Sequence, residues 1–242
     1  MIPAGWRSRA FAGQVQYSAA EAGPGYRGGI HDNLRRKFIC FMETDRPRTL
    51  TMSVGVLAVD YRKYIAARDM SWKILMDGDV RVLPVSISSL CRAMGIHVRY
   101  YDGSGESDGE STMVNGQPWI LVSRHKPVPR QRFTAAHELG HILLGHVGEG
   151  RLVNREPAPG DNPLEREANV FASRLLAPAC VLWGCGVKSA EDIAELCGIS
   201  RQAAEFRWQR FRVLMERKRF LASPLERKLY EQFADYIAQH QL

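Results

Sequence analysis

Apolar side chains recur at helical intervals from Val54 to Met76, at Leu57, Tyr61, Tyr64, Ile65, Trp72 and Leu75, which predicts an amphipathic helix. Asp77-Gly78-Asp79 breaks the run. Pro84-Val85-Ser86 opens a second helix to about Ala93, where Gly95 stops it. Ile96–Tyr101 alternates and is rich in β-formers, so a strand is expected; the polar, glycine-bearing stretch Asp102–Ser111 reads as a loop. Ser111–Val114 and Gln117–Val122 flank Asn115-Gly116, whose preference for positive φ suits a two-residue hairpin. Pro118 has no N–H to donate, which places its strand at a sheet edge. Val128–Leu144 carries the strongest helical pattern. After a polar loop over Gly148–Asp161, Asn162 caps and Pro163 opens a helix that runs to Leu176, ahead of Pro178. From Cys180 onward the pattern is helical throughout, at about 189–197, 201–219 and 224–239.

Residues 1–50 share none of this order. They are rich in Gly, Ala and Arg, with a loop-like run from Glu21 to Gly29. Residues 1–51 are therefore expected to be a disordered extension or the product of a start called too early, with Met42 or Met52 as the true start; a basic organelle leader is a third option. The remainder divides into 52–179, helices with a small mixed sheet, and an all-helical part, 180–242.

Composition narrows the class. The chain has 242 residues, 45% apolar and 24% charged, ordinary proportions for a globular protein. No apolar run approaches the ~18 residues of a membrane span, so no membrane partner is expected. Thirty-three basic residues outweigh 26 acidic ones, for a net charge of +7; this permits a nucleic-acid partner without requiring one. The five cysteines, at 40, 91, 180, 185 and 197, are odd in number and scattered. That argues against a disulfide framework and for reduced thiols in a cytoplasm.

The candidate chemistry lies in Phe133–His146. His137 and His141, four residues apart on a helix, put two imidazoles on one face, able to share a tetrahedral metal. Glu138 follows the first of them, where its carboxylate can reach a water on the open side of the metal and take its proton. The flanking residues Phe133, Ala135, Ala136, Leu139, Gly140, Ile142 and Leu143 are small or apolar. The helix is therefore mostly buried, and its polar groups need partners there. A catalytic zinc takes a third protein ligand. His146 is one residue short of the spacing at which a third histidine follows in the same segment. On the next helix, Glu165 and Glu167 lie on opposite flanks of the apolar stripe Leu164, Ala168, Phe171, Ala172 and Leu175, each about 80° from its centre at 100° per residue. Spacing alone leaves both open.

His137-Glu-Leu-Gly-His141, together with Glu165-Arg-Glu-Ala-Asn-Val-Phe-Ala-Ser-Arg-Leu-Leu-Ala-Pro178, resembles the paired motifs of the ImmA/IrrE family of zinc metallopeptidases. The likeness covers about residues 55–180, and the helical tail more loosely; Ala177 stands where the family often has Met. The resemblance implies an α+β, zincin-like metallopeptidase domain binding Zn2+ through His137, His141 and Glu167, the glutamate before Ala-Asn, with Glu138 as the catalytic glutamate. It also implies a protein substrate, a helix-turn-helix transcriptional repressor cut in stress responses or mobile-element induction. In zinc peptidases of this plan a strand beside the site pairs with the extended substrate. Gln117–Val122, with Trp119, Ile120 and Leu121, is the candidate, its alternative being an ordinary hairpin strand. Tyr100, Tyr101 and His125 are candidates for stabilising an oxyanion.

The tail adds a second theme. Ser189–Ala204 reads as a helix-turn-helix, with Gly198 at the turn and Ser200 as a cap. The helix that follows carries Arg201, Arg207, Arg210, Arg212, Arg217, Lys218 and Arg219. DNA contact through Arg201, Arg207 and Arg210 is one expectation; a helical subdomain packed on the catalytic part is the other. The leading function is thus a cytoplasmic zinc endopeptidase. The alternatives are a DNA-binding regulator with a structural or sensory metal, and an interaction protein of the toxin–antitoxin kind.

Overall fold

The computed structural model describes residues 54–102, 108–147 and 162–242, with side chains from residue 64 onward. The expectations for residues 1–51 and for the loop at 148–161 lie outside the described residues.

Helix α1 (Val54–Asp77) buries Ala67, Ser71, Trp72, Ile74 and Leu75 on one side. Ser86 caps α2 (Ile87–Ala93) by accepting from the Ser89 N–H. Strand β1 (His97–Tyr101), β2 (Gly109–Val114) and β3 (Gln117–Ser123) form a three-stranded sheet in the order β1-β3-β2. The Asn115-Gly116 turn closes the β2–β3 hairpin at φ 51° and 71°, the left-handed conformation such a turn needs.

One expectation is overturned here. The strand holding Pro118 is central, parallel to β1 and antiparallel to β2. The reason lies in the register. Val114 and Gln117 close the turn as the hydrogen-bonded pair, so Pro118, opposite Met113, turns its nitrogen away from β2. Pairing with β1 begins one residue later, at His97 and Trp119. The missing N–H therefore falls where no ladder bond is due.

The buried side of the sheet, Ile120 and Val122, packs on α3 (Val128–Leu143). Asp108 pairs with Lys126 (2.9 Å) and Arg130 (2.6 Å), fastening the start of β2 to the start of α3. Asn162 caps α4 (Pro163–Leu176) through the Leu164 N–H. Helices α3 and α4 cross closely at Gly140, where a Cβ would lie 3.0 Å from Phe171 Cδ1 and 3.3 Å from Ala168 Cα. A side chain here would have to push the Phe171 ring and the α4 backbone back by a few tenths of an ångström.

The tail comprises α5 (Ala179–Gly184), α6 (Ala190–Cys197), α7 (Arg201–Glu216), α8 (Pro224–Gln232) and α9 (Ala234–Gln239). A reciprocal Ser189–Asp192 capping box starts α6, and Gly198 ends it at φ 58°. Ser200 and Ser223 cap α7 and α8. One apolar cluster runs from Ala67 to Ile237 without a break at residue 180. Polar ties cross it: Gln232 donates to the carbonyls of Leu75 (2.9 Å) and Val80 (2.6 Å), and Arg132 to those of Val85 (3.1 Å) and Cys197 (3.2 Å). No helix among the described residues is long and apolar enough to cross a membrane.

Candidate metal centre

The middle of α3 is buried along Thr134, Ala135, Ala136, Glu138, Leu139, Gly140 and His141. His137 and His141 stand one turn apart and turn their Nε2 atoms toward each other, 3.0 Å apart. The close crossing at Gly140 brings α4 near enough for Glu165 to join them. Its carboxylate oxygens lie 3.3 Å from His137 Nε2 and 3.5 Å from His141 Nε2. His137, His141 and Glu165 are the one group of three such side chains among the described residues with donor atoms converging on a common point.

The hydrogen bonds behind the ligands decide what that point accepts. His137 Nδ1 lies 3.0 Å from the amide oxygen of Asn169, an acceptor, so Nδ1 carries the proton and Nε2 presents a lone pair. On the other side, His146 Nε2 lies 3.3 Å from a carboxylate oxygen of Glu167 and His146 Nδ1 lies 3.1 Å from His141 Nδ1. The carboxylate accepts from His146 Nε2–H, and His146 Nδ1 then accepts from His141 Nδ1–H. His141 Nε2 is left with a lone pair as well. Two lone pairs facing each other beside a carboxylate repel unless a cation sits among them. Zinc with bonds of about 2.0–2.1 Å in tetrahedral geometry separates its donors by roughly 3.3 Å; the separations here are 3.0, 3.3 and 3.5 Å. The donor set fits.

Electrostatics agree with this. Burial alone would raise the Glu165 pKa, but hydrogen bonds and charge from His137 and His141 hold it well below the usual carboxylate range. Burial alone would lower that of His137, yet the Glu165 hydrogen bond, the charge of Glu138 and the Asn169 contact together raise it. Positive charge is favoured between these groups.

Glu138 is 3% exposed. The Ser111 hydroxyl on β2 donates to its Oε2 at 2.7 Å, which holds the carboxylate next to the histidine pair. Gly109, two residues before Ser111, lies so close to α3 that a Cβ would fall 2.5 Å from Thr134 Cγ2.

Several expectations change. The third position is taken by Glu165, whereas Glu167 faces His146 on the opposite flank of α4. Asn169 is four residues after Glu165, so the two share a helix face; that spacing was the available clue. Trp119, Ile120 and Leu121 do not form a free edge. Ile120 is core, Trp119 stacks on His97 at 4.4 Å between ring centres, and both edges of β3 are paired. The strand at the site is β2. Sequence reasoning missed Ser111 and Asn169, which lie remote from His137 along the chain. Tyr100 and Tyr101 lie on β1 with Tyr100 exposed, and His125 Nε2 meets the carbonyl of Asp102 at 3.1 Å.

The nucleic-acid expectation loses its centre. Arg207 is buried and donates to the Ala177 carbonyl at 2.8 Å. Arg201 is exposed but paired with Glu191 at 2.7 Å, and Arg210 is partly buried. The described cysteines, 91, 180, 185 and 197, are free and buried. Burial pushes the Cys91, Cys180 and Cys197 thiols up to about 12 and Cys185 to about 11, so they join neither the site nor surface thiol chemistry.

Residues 91–209 match the family model described as the IrrE N-terminal-like domain, Peptidase_M78. The span starts at the end of α2, contains both site helices and reaches into α7. No curated protein matches the chain.

Proposed function

We propose that the chain, which belongs to the IrrE N-terminal-like peptidase family, is a zinc-dependent endopeptidase. The observation that carries this reading is the convergence of His137, His141 and Glu165 with Glu138 held alongside. Zinc bound by the three side chains supplies a Lewis acid that acidifies water and polarises a carbonyl oxygen. The residues do the rest. Glu138 accepts the proton of the attacking water and delivers it to the leaving amine nitrogen as the peptide bond breaks. Ser111 donates to Oε2 and so steadies the carboxylate beside the histidine pair for that transfer. Asn169 holds the His137 ring by its Nδ1–H and so keeps Nε2 directed inward.

The substrate enters as an extended strand along β2. Hydrogen-bonded pairing with β3 falls on Val114, Thr112 and Glu110, so the main-chain groups of Ser111 and Met113 turn away from β3. A peptide pairing there is held by its backbone, largely regardless of sequence, and passes beside Glu138. By the family resemblance the substrate is a helix-turn-helix transcriptional repressor. A cytoplasmic setting suits the four free thiols among the described residues, which stay reduced there.

The test is co-expression with helix-turn-helix repressors encoded beside the gene. A truncated repressor with the wild type and an intact one with Glu138→Ala is the expected result. Equal truncation with both removes Glu138 from the chemistry, and intact repressors with both remove them as substrates.

A further inference from the structure

We propose that Glu167 and His146 form a positioning relay that fixes His141 in the one tautomer able to bind metal. The inference rests on the His137–His141–Glu165 cluster being a metal site. It gives a task to two residues, 146 and 167, that stand outside that cluster.

His146 lies just past the end of α3. Gly145, at φ 75°, turns the chain, and the His146 N–H donates to the His141 carbonyl at 2.9 Å. This folds the His146 ring back under His141, with ring centres 5.1 Å apart and planes at 68°. The side chain is 4% exposed, so its nitrogens depend on protein partners. Glu167 approaches from α4 and meets Nε2 at 3.3 Å, and His141 meets Nδ1 at 3.1 Å. The order of donors follows from the carboxylate. It only accepts, so Nε2 of His146 donates to it. Nδ1 of the neutral ring is then an acceptor, and the group it faces, His141 Nδ1, must be a donor. A single negative charge on Glu167 is thus transmitted through two rings, and it ends as a lone pair on His141 Nε2 pointing at His137 and Glu165.

The two ligand histidines are therefore supported unequally. His137 rests on one neutral amide, Asn169. His141 rests on a charged chain, which orients the ring. Glu165 and Glu167 divide the work on α4, one on each flank of the apolar stripe: the first holds the metal, the second the holder.

The experiment measures the zinc dissociation constant by competition with a chromophoric chelator, and the visible spectrum of the Co2+-substituted protein, for full-length wild type and variants. His146→Leu is expected to weaken zinc binding about 10–100-fold and to alter the Co2+ bands. His146→Gln, whose amide oxygen can accept from His141 Nδ1–H, is expected to restore most of the affinity. Glu167→Gln keeps shape but loses charge, and is expected to weaken binding severalfold. Unchanged affinity and spectrum in His146→Leu overturns the relay. So does a His146→Gln variant as weak as His146→Leu, because the ring would then serve only as packing. Should His146→Leu fail to fold, Glu167→Gln decides: an affinity and spectrum equal to wild type overturn the proposal. Wild type that takes up no zinc defeats the metal reading itself, a result distinct from all of these.

Discussion

The α3–α4 crossing and the helical tail both bury polar side chains, but they satisfy them differently. In the tail the polar side chains turn mainly to backbone partners. Arg207, its pKa pushed down to about 10 by burial, donates to the Ala177 carbonyl. Glu226 accepts from the Ala222 N–H and Asp192 from those of Lys188 and Ser189. These are the needs of helix ends and chain turns. At the crossing the partners are other side chains: Ser111 with Glu138, Asn169 with His137, His146 with both His141 and Glu167, and Glu165 with both ligand histidines. Dispersed polarity of the first kind stabilises a fold. Convergent polarity of the second kind leaves lone pairs facing one point, and that marks where chemistry happens. The basic residues that drew attention to the tail are not what distinguishes it.

Substitutions should separate the two regions. The largest effect is expected at the crossing. Glu138→Ala should lower cleavage about 10²–10⁴-fold, the range for a general base, with zinc content and melting temperature near wild type; loss of zinc along with activity would make Glu138 a structural group instead. In the tail, Arg207→Ala should cost about 2–3 kcal/mol of stability by denaturant unfolding, yet leave the zinc affinity of the folded protein unchanged. A weakened metal site in that variant would erase the distinction between the regions.

Gly140→Ala tests the joint between the helices. The added methyl meets Phe171 and the α4 backbone at Ala168, so a cost of about 1–3 kcal/mol is expected. Here, unlike at Arg207, zinc binding should weaken as well, since α4 carries Glu165. Equal zinc affinity would show that the ligands tolerate a shifted crossing.

The smallest effect is expected at Asp108, which ties β2 to α3. Burial would raise its pKa, but Lys126 and Arg130 lower it below the ordinary value. A carboxylate with a depressed folded-state pKa adds stability above its unfolded pKa and loses it as the pH falls through the folded one. Asp108→Asn should therefore cost about 1 kcal/mol at neutral pH, and the difference from wild type should fade below about pH 4. A difference that persists at pH 2 would point to packing rather than charge.

Local features of the fold were legible in the chain. Asn115-Gly116 specifies its turn, Asn162 and Ser200 mark helix starts, and Gly198 marks a turn, because each acts on the backbone within a few residues of itself. The long-range features were not. The central place of β3 depends on the parallel partner β1, and Pro118 escapes its usual penalty only through the register. The spacing of His137, Glu138 and His141 was readable because one helix carries all three. The third ligand depends on which flank of α4 faces α3, and two glutamates with equal offsets from the apolar stripe give no local preference. Arg207 was misplaced for a similar reason. An arginine on a helix reads as solvated, and the carbonyl that Arg207 meets, at Ala177, lies thirty residues earlier in the chain.

The central claim is that His137, His141 and Glu165 hold one divalent metal. The direct test is zinc content and affinity of purified full-length Glu165→Gln beside wild type. About one zinc per chain in wild type, with binding in the variant weakened by more than the roughly 10–100-fold due to an outer partner, is the expected outcome. Wild type without metal, or a Glu165→Gln variant that binds zinc as tightly as wild type, would contradict it.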